Sequence, residues 1–211
     1  MTSDRMERNP KIAITGIALK LPEADDLVTL RRNLKSGRDS VRELSTERRL
    51  RTSQPLDEPY LPNGYLDGID EFDYQFFEIP RGQANLLSPE HRLVLQSAYQ
   101  ALEQAGIAPA AVRGKRVGVY VGATRIDYAA LAERVEAPLV MGGHQAAVAG
   151  RVSQMLGLRG PSLMIDSSCS SGLVAVKQAI NDLTLFNTEL ALVSGANINL
   201  CGDPLEDDPL N

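Results

Sequence analysis

Residues 162–185 read Ser162-Leu-Met-Ile-Asp-Ser-Ser-Cys-Ser-Ser-Gly-Leu-Val-Ala-Val-Lys-Gln-Ala-Ile-Asn-Asp-Leu-Thr-Leu185. The first five residues form a short apolar run and predict a strand. A cluster of small polar residues follows, and from Ser171 to Leu185 the pattern changes. Val174, Val176, Ala179, Ile180 and Leu183 then give an apolar helix. Cys169 stands where the strand becomes the helix. Unpaired backbone N–H groups at a helix N-terminus favour negative charge, and so favour a thiolate over a thiol. The thiolate is the form that attacks a thioester. Small neighbours on both sides leave room for a substrate, and the same N–H groups suit part of an oxyanion hole. Position alone leaves a second reading open, a buried structural cysteine beside an N-capping serine.

Outward from this junction the same alternation recurs. Lys11–Ala18 is a short apolar run broken by Gly16 and predicts a buried strand with a turn. Leu27, Leu30 and Leu34 mark a helix over 25–35, with Gly37 as its stop. From Arg38 to about Gly82 the pattern dissolves into prolines, glycines and charges. So long an irregular stretch is usually functional or partner-covering. Ser88-Pro89-Glu90 opens a helix with a serine cap, proline at the first position and an early acid. Leu95, Ala98, Tyr99, Leu102 and Ala105 line one face of that helix, and Gly106 ends it. Further strands are expected over 116–122 and 189–197, and further helices over 127–135 and 144–156. Continuous apolar strands alternating with amphipathic helices make a mostly parallel α/β sheet covered on both faces.

Composition narrows the function. Among 211 residues there are 22 basic and 27 acidic side chains, a net charge of −5. No broad basic surface is available for nucleic acid. Two cysteines, Cys169 and Cys201, do not make a disulfide framework. Residues 1–10 are polar and carry no apolar core of a secretory signal, and no run is long enough to span a membrane. These features predict a reduced, cytoplasmic protein with a flexible N-terminus over 1–10 and a tail over 201–211. Two distant histidines and two distant cysteines lack metal-ligand spacing, so no metal is expected. The turns at Gly16 and Gly122 lack a phosphate-loop pattern, so no nucleotide is expected either.

The stretch Ala149-Gly-Arg-Val-Ser through Asp166-Ser-Ser-Cys-Ser-Ser171 resembles the active-site region of β-ketoacyl synthases, the ketosynthases of fatty-acid and modular polyketide synthases. Around its nucleophile that family commonly reads D-[ST]-[AS]-C-S-[SG]. Other segments agree in order and spacing. Ile12–Ala18 resembles the opening strand, Asn33–Asp39 the helix end after it, and Gly64–Phe77 a long loop. Ser88–Leu95 resembles a D-P-x-x-R-L helix start, and Val117–Ala123 the second strand. The resemblance runs from about residue 11 to 200. It implies the N-terminal half of a thiolase-like α-β-α-β-α sandwich.

By that resemblance Cys169 is the catalytic residue. It accepts an acyl group from the phosphopantetheine arm of an acyl carrier protein, for decarboxylative condensation with a malonyl-type extender. A dimer and no bound cofactor are also implied. The family's second half carries two histidines, in H-G-T-G-T-like and N-x-G-H-like motifs, and neither motif occurs here. A complementary half or the remainder of a synthase is therefore an expected partner. The rival expectation is a non-catalytic ketosynthase piece that acts as a scaffold or docking element. Thioester turnover at Cys169 without carbon–carbon bond formation is a third reading.

Remaining residues carry plainer expectations. His91, where the family has glutamine, reads as an exposed or capping side chain. His144 lies in a Gly-Gly-His-Gln turn, with nothing to support a role as base. Arg151 reads as a structural ion-pair partner, and Cys201 as a passive thiol. Ile79-Pro-Arg-Gly82 departs from the family's I-S-P-R-E.

Overall fold

In chain order the elements are α1 (Leu27–Ser36), α2 (Thr46–Arg51), α3 (Arg81–Ala84), α4 (Pro89–Gln104), α5 (Pro109–Val112) and β1 (Val117–Gly122). They are followed by α6 (Ala147–Leu156), β2 (Ser162–Ile165), α7 (Ser171–Thr184) and β3 (Leu190–Gly195). The computed structural model describes residues 11–124, 128, 144–185 and 187–202. Two units are distinguished. One gathers residues 11–18, 90–124 and 144–197; the other gathers 19–89, 128 and 198–202. The expected flexible N-terminus, the helix over 127–135 and the tail beyond 202 lie outside the described residues, Tyr128 excepted.

The first unit holds a parallel sheet ordered β2-β1-β3. Val119 pairs with Ser162 on one side of β1, and Val117 with Leu190 on the other. Bonded on both edges and covered on both faces, β1 is buried at every residue. Parallel strands need crossovers, supplied by α6 between β1 and β2 and by α7 between β2 and β3. Since β2 and β3 flank β1 on opposite sides, right-handed crossovers place these two helices on opposite faces.

Alternation along β1 turns Gly118, Tyr120 and Gly122 toward α7. Tyr120 is fully buried with Ala175 and Ala179, and Ile165 and Ala191 pack against them. Its hydroxyl donates to Asp182 Oδ2 at 2.7 Å, tying the sheet to the far end of α7. Gln178 and Asn187 donate to the same carboxylate. These bonds, Tyr120's first, hold the Asp182 carboxyl below its ordinary range, while burial above all pushes the Tyr120 phenol up. An apolar pattern does not reveal such a pair.

α4 forms as its start signals predict, with Leu95 and Leu102 buried and Gly106 left-handed at its end. The Ser88 hydroxyl is buried and makes no hydrogen bond, so the expected side-chain cap is missing. Lys11–Ala18 forms no strand. No described strand lies beside it to complete a ladder, and Ile14 is 84% exposed. The segment instead rests on α4, where Ile17 N–H donates to Gln104 Oε1. A Cβ on Gly16 would come within 2.2 Å of the Ala101 carbonyl oxygen.

In the second unit, Asp26 caps α1 through Thr29 N–H, and Gly37 ends it in the left-handed region. The helix is where the leucine spacing puts it, yet Leu34 is 73% exposed. The buried residue is Asn33, whose amide donates to the Glu23 carbonyl. Within 38–82, α2 and α3 are short, and arginines do the organising. Arg49 is buried, donates to the carbonyls of Leu44, Leu56 and Glu58, and lies 4.7 Å over the Tyr60 ring. Arg48 donates to the Leu66 carbonyl. Backbone carbonyls held by arginine leave no periodic trace, which is why this stretch reads as patternless.

Candidate active site around Cys169

β2 ends at Ile165 and α7 begins at Ser171, and the five residues between them form a tight turn. Asp166 Oδ1 accepts from Ser168 N–H at 3.1 Å. Ser168 takes φ +56°, the left-handed region that costs a non-glycine residue about 1–3 kcal/mol at such sites. The reversal bridges Ser167 to Cys169. Ser170 is the N-cap residue of α7, which puts Cys169 one residue before the cap.

Cys169 is exposed and unbonded to another cysteine. The buried structural alternative therefore does not describe its surroundings in this chain. Its Sγ lies 3.8 Å from the Ser168 hydroxyl. The turn is held from within by two serines. Ser170 Oγ donates to the Ser167 carbonyl at 2.8 Å. Ser171 Oγ accepts from Ser167 N–H at 2.9 Å and donates to the Ser168 carbonyl at 2.6 Å.

The carboxyl ends of the strands gather around this turn. Gly122 closes β1 so near to α7 that a Cβ there would lie 2.6 Å from Gly172 N. Ala196 N–H, just past β3, donates to the Gly122 carbonyl. Gln145, just before α6, donates from Nε2 to the Ala123 carbonyl. Ligands in open α/β sheets are bound at this edge, where strand order reverses and helix N-termini converge.

His91 is 1% exposed rather than an exposed or capping residue. Arg151 Nε donates to its Nδ1 at 3.2 Å, which places the ring proton on Nε2. Burial, and then the Arg151 charge, lower its pKa to about 4. The bond from Arg151 thus goes to a neutral imidazole, not to a carboxylate. His144 is exposed, and its Nδ1 accepts from Ala146 N–H at the start of α6. Cys201 is half-buried and belongs to the other unit. Among the described residues, no three or more His, Cys, Asp or Glu side chains gather in a metal-binding group. No helix among them is long and apolar enough to cross a membrane.

A strand, an abrupt turn carrying an exposed cysteine, and a helix packed back on a parallel sheet make up the geometry of the site. The family model described as Beta-ketoacyl synthase, N-terminal domain, matches residues 9–206, and the chain belongs to that family. It is similar to Polyketide synthase ThaG of Burkholderia thailandensis, 37% identical over 199 residues that cover 90% of this chain and 4% of that protein. It is also similar to Mycoketide-CoA synthase of Mycobacterium tuberculosis, 34% identical over 92% of this chain and 5% of that protein. Among solved structures, the ketosynthase from module 6 of the bacillaene synthase of Bacillus subtilis 168 superposes with a TM-score of 0.78 at 33% identity. That match covers 90% of this chain and 31% of the ketosynthase. The fold is thiolase-like, and the chain spans about a third of that ketosynthase.

Proposed function

We propose that this chain is the nucleophile-bearing part of a polyketide-type ketosynthase, with Cys169 as its acyl acceptor. The observation that carries the reading is the exposed thiol on a strained turn, between the carboxyl ends of the strands and the N-terminus of α7. Cys169 Sγ attacks the carbonyl carbon of an acyl-pantetheine thioester presented by an acyl carrier protein. The bond from that carbon to the pantetheine sulfur breaks, and the leaving thiolate takes the proton given up by Cys169. A malonyl-type extender on a second carrier protein then loses its carboxylate as CO2. The electron pair left behind attacks the acyl carbon on Cys169. A carbon–carbon bond forms, the carbon–sulfur bond breaks, and the cysteine thiolate returns to the thiol by protonation. Covalent catalysis splits one difficult step into two.

Decarboxylation calls for cationic or hydrogen-bond-donating groups, and among the described residues the side chain that reaches the Cys169 thiol is the Ser168 hydroxyl. His91 is neutral, buried and engaged by Arg151, which supports a reading in which a complementary half supplies the histidines. Three observations in the first unit support such a half. α7 carries Leu173 at 78% exposure, with Val176 and Ile180 also uncovered. Leu163 and Val193 flank Tyr120 on the same face and are exposed too. Finally, Lys11–Ala18 is apolar and unpaired. Exposed apolar area on this scale marks an interaction surface.

Intact mass of the purified chain after incubation with an acyl-pantetheine thioester tests the reading. An acyl adduct on the wild type and none on Cys169→Ala is expected, first for the chain alone and then with a ketosynthase C-terminal half added. A folded chain that takes no acyl group even with that half present would refute the acceptor role. The scaffold reading would then account for the chain.

A further inference from the structure

Ser171 is buried, polar and unused by the condensation chemistry. Its hydroxyl forms two hydrogen bonds at once, and both reach back across Cys169. It accepts from Ser167 N–H and donates to the Ser168 carbonyl. Those two groups bracket Ser168, the residue in the left-handed region. A turn that stores backbone strain persists only where its surroundings hold it. The neighbouring restraints are of a different kind. Ser170 Oγ reaches only Ser167, from the exposed side, and Asp166 reaches only Ser168 N–H.

The place Ser171 occupies is itself set by β1. An added Cβ at Gly122 would lie 2.6 Å from the Ser171 carbonyl carbon and 2.8 Å from its carbonyl oxygen. Both are backbone atoms, which cannot swing aside as a flexible side chain would. A glycine at the end of β1 therefore lets the first turn of α7 sit down on the sheet.

We propose that Ser171 is a positioning residue for the Cys169 thiol, clamping the turn that presents it, with Gly122 as the seat that fixes the clamp's depth. This rests on the reading of Cys169 as acyl acceptor. Ser171 touches neither acyl group nor pantetheine; it acts through the geometry of residues 167–169.

The test uses the 211-residue chain and reads alkylation of Cys169 by iodoacetamide, followed by peptide mass so that Cys201 does not interfere. Rates are taken from about pH 6 to 9, where thiol reactivity changes most. Ser171→Thr and Ser171→Val are the decisive pair, being nearly the same shape and differing in the hydroxyl. Because small misplacements of a reacting atom cost large factors, Ser171→Val is expected to slow alkylation about tenfold across the profile, and Ser171→Thr to stay within about threefold of wild type. Ser170→Ala, which loses bonds to Ser167 alone, is expected to slow alkylation by no more than about threefold.

Equal rates for folded threonine and valine variants would overturn the proposal. So would a valine variant whose slowing is matched by Ser170→Ala. If valine abolishes the folded circular dichroism signal while threonine does not, Gly122→Ala takes its place, and a wild-type alkylation profile for that variant would overturn the proposal. Acyl loading is measured alongside, with the ketosynthase C-terminal half added. Hydroxyl-dependent alkylation without loading would leave the clamp standing and remove the acceptor reading. Loading with hydroxyl-independent alkylation would do the reverse.

Discussion

Burial and the Arg151 guanidinium both oppose a second proton on His91. In the unfolded chain that imidazole titrates near 6.5, and in the folded chain near 4. Between those values the unfolded state binds more protons, so stability is complete above about pH 6.5 and falls as the pH drops toward 4. The loss attributable to this residue reaches about 3 kcal/mol. Urea unfolding at a series of pH values should show it, and His91→Gln should flatten the slope; an unchanged slope would point to other groups. Tyr120→Phe tests a second buried contact. It strips Asp182 of its shortest donor, and a loss of about 1–3 kcal/mol is expected in the same assay. Neither residue announced itself in the sequence. A histidine near a helix start reads as surface, and a tyrosine inside an apolar strand reads as core, because pattern reports polarity and not partners. The place of Cys169 between a strand and a helix was legible because its neighbours change from strand-like to helix-like around it.

At the level of elements, the strands and helices of the first unit follow their periodicity closely. β1, β2, β3, α4, α6 and α7 all fall where apolar spacing puts them, within a few residues. The short α5 is a helix that the spacing does not predict, and Lys11–Ala18 is a predicted strand that does not form. Apolar residues specify that a segment prefers a sheet, but a ladder also needs a neighbour, and the sequence of one strand does not contain its neighbour. The segment is bonded to α4 through Ile17 N–H and Gln104 Oε1, and its close approach depends on Gly16. A methyl group on Gly16 would collide with the α4 backbone, so Gly16→Ala should lower stability by about 1–3 kcal/mol. A urea midpoint equal to wild type would show that the segment moves away from α4 at no cost. In the second unit, α1 matches its cap and stop signals although its leucines face outward, because capping is a local hydrogen-bond matter and burial is not.

For the whole molecule, the uncovered face of α7 separates stability from association. Leu173→Asp removes no buried contact in this chain, so its effect on unfolding should stay within about 0.5 kcal/mol. On the reading proposed above, the same substitution places a charge in the interface with the histidine-bearing half and should weaken their association at least about tenfold, the penalty for an unpaired charge. Analytical ultracentrifugation of the two halves measures it. Unchanged association would move the interface elsewhere on the chain.

The central position of β1 also bears on how the chain is made. Its two ladder partners begin at residues 162 and 190, far downstream of residue 117. While the ribosome is still producing residues 123–161, the most buried strand of the sheet is finished and has nothing to pair with. Non-local pairing of this kind folds slowly and leaves sticky segments uncovered in the interval. The nascent chain is therefore a natural client for chaperones that hold short apolar stretches, and its yield on expression should respond to their supply more than to the stability of the finished sheet.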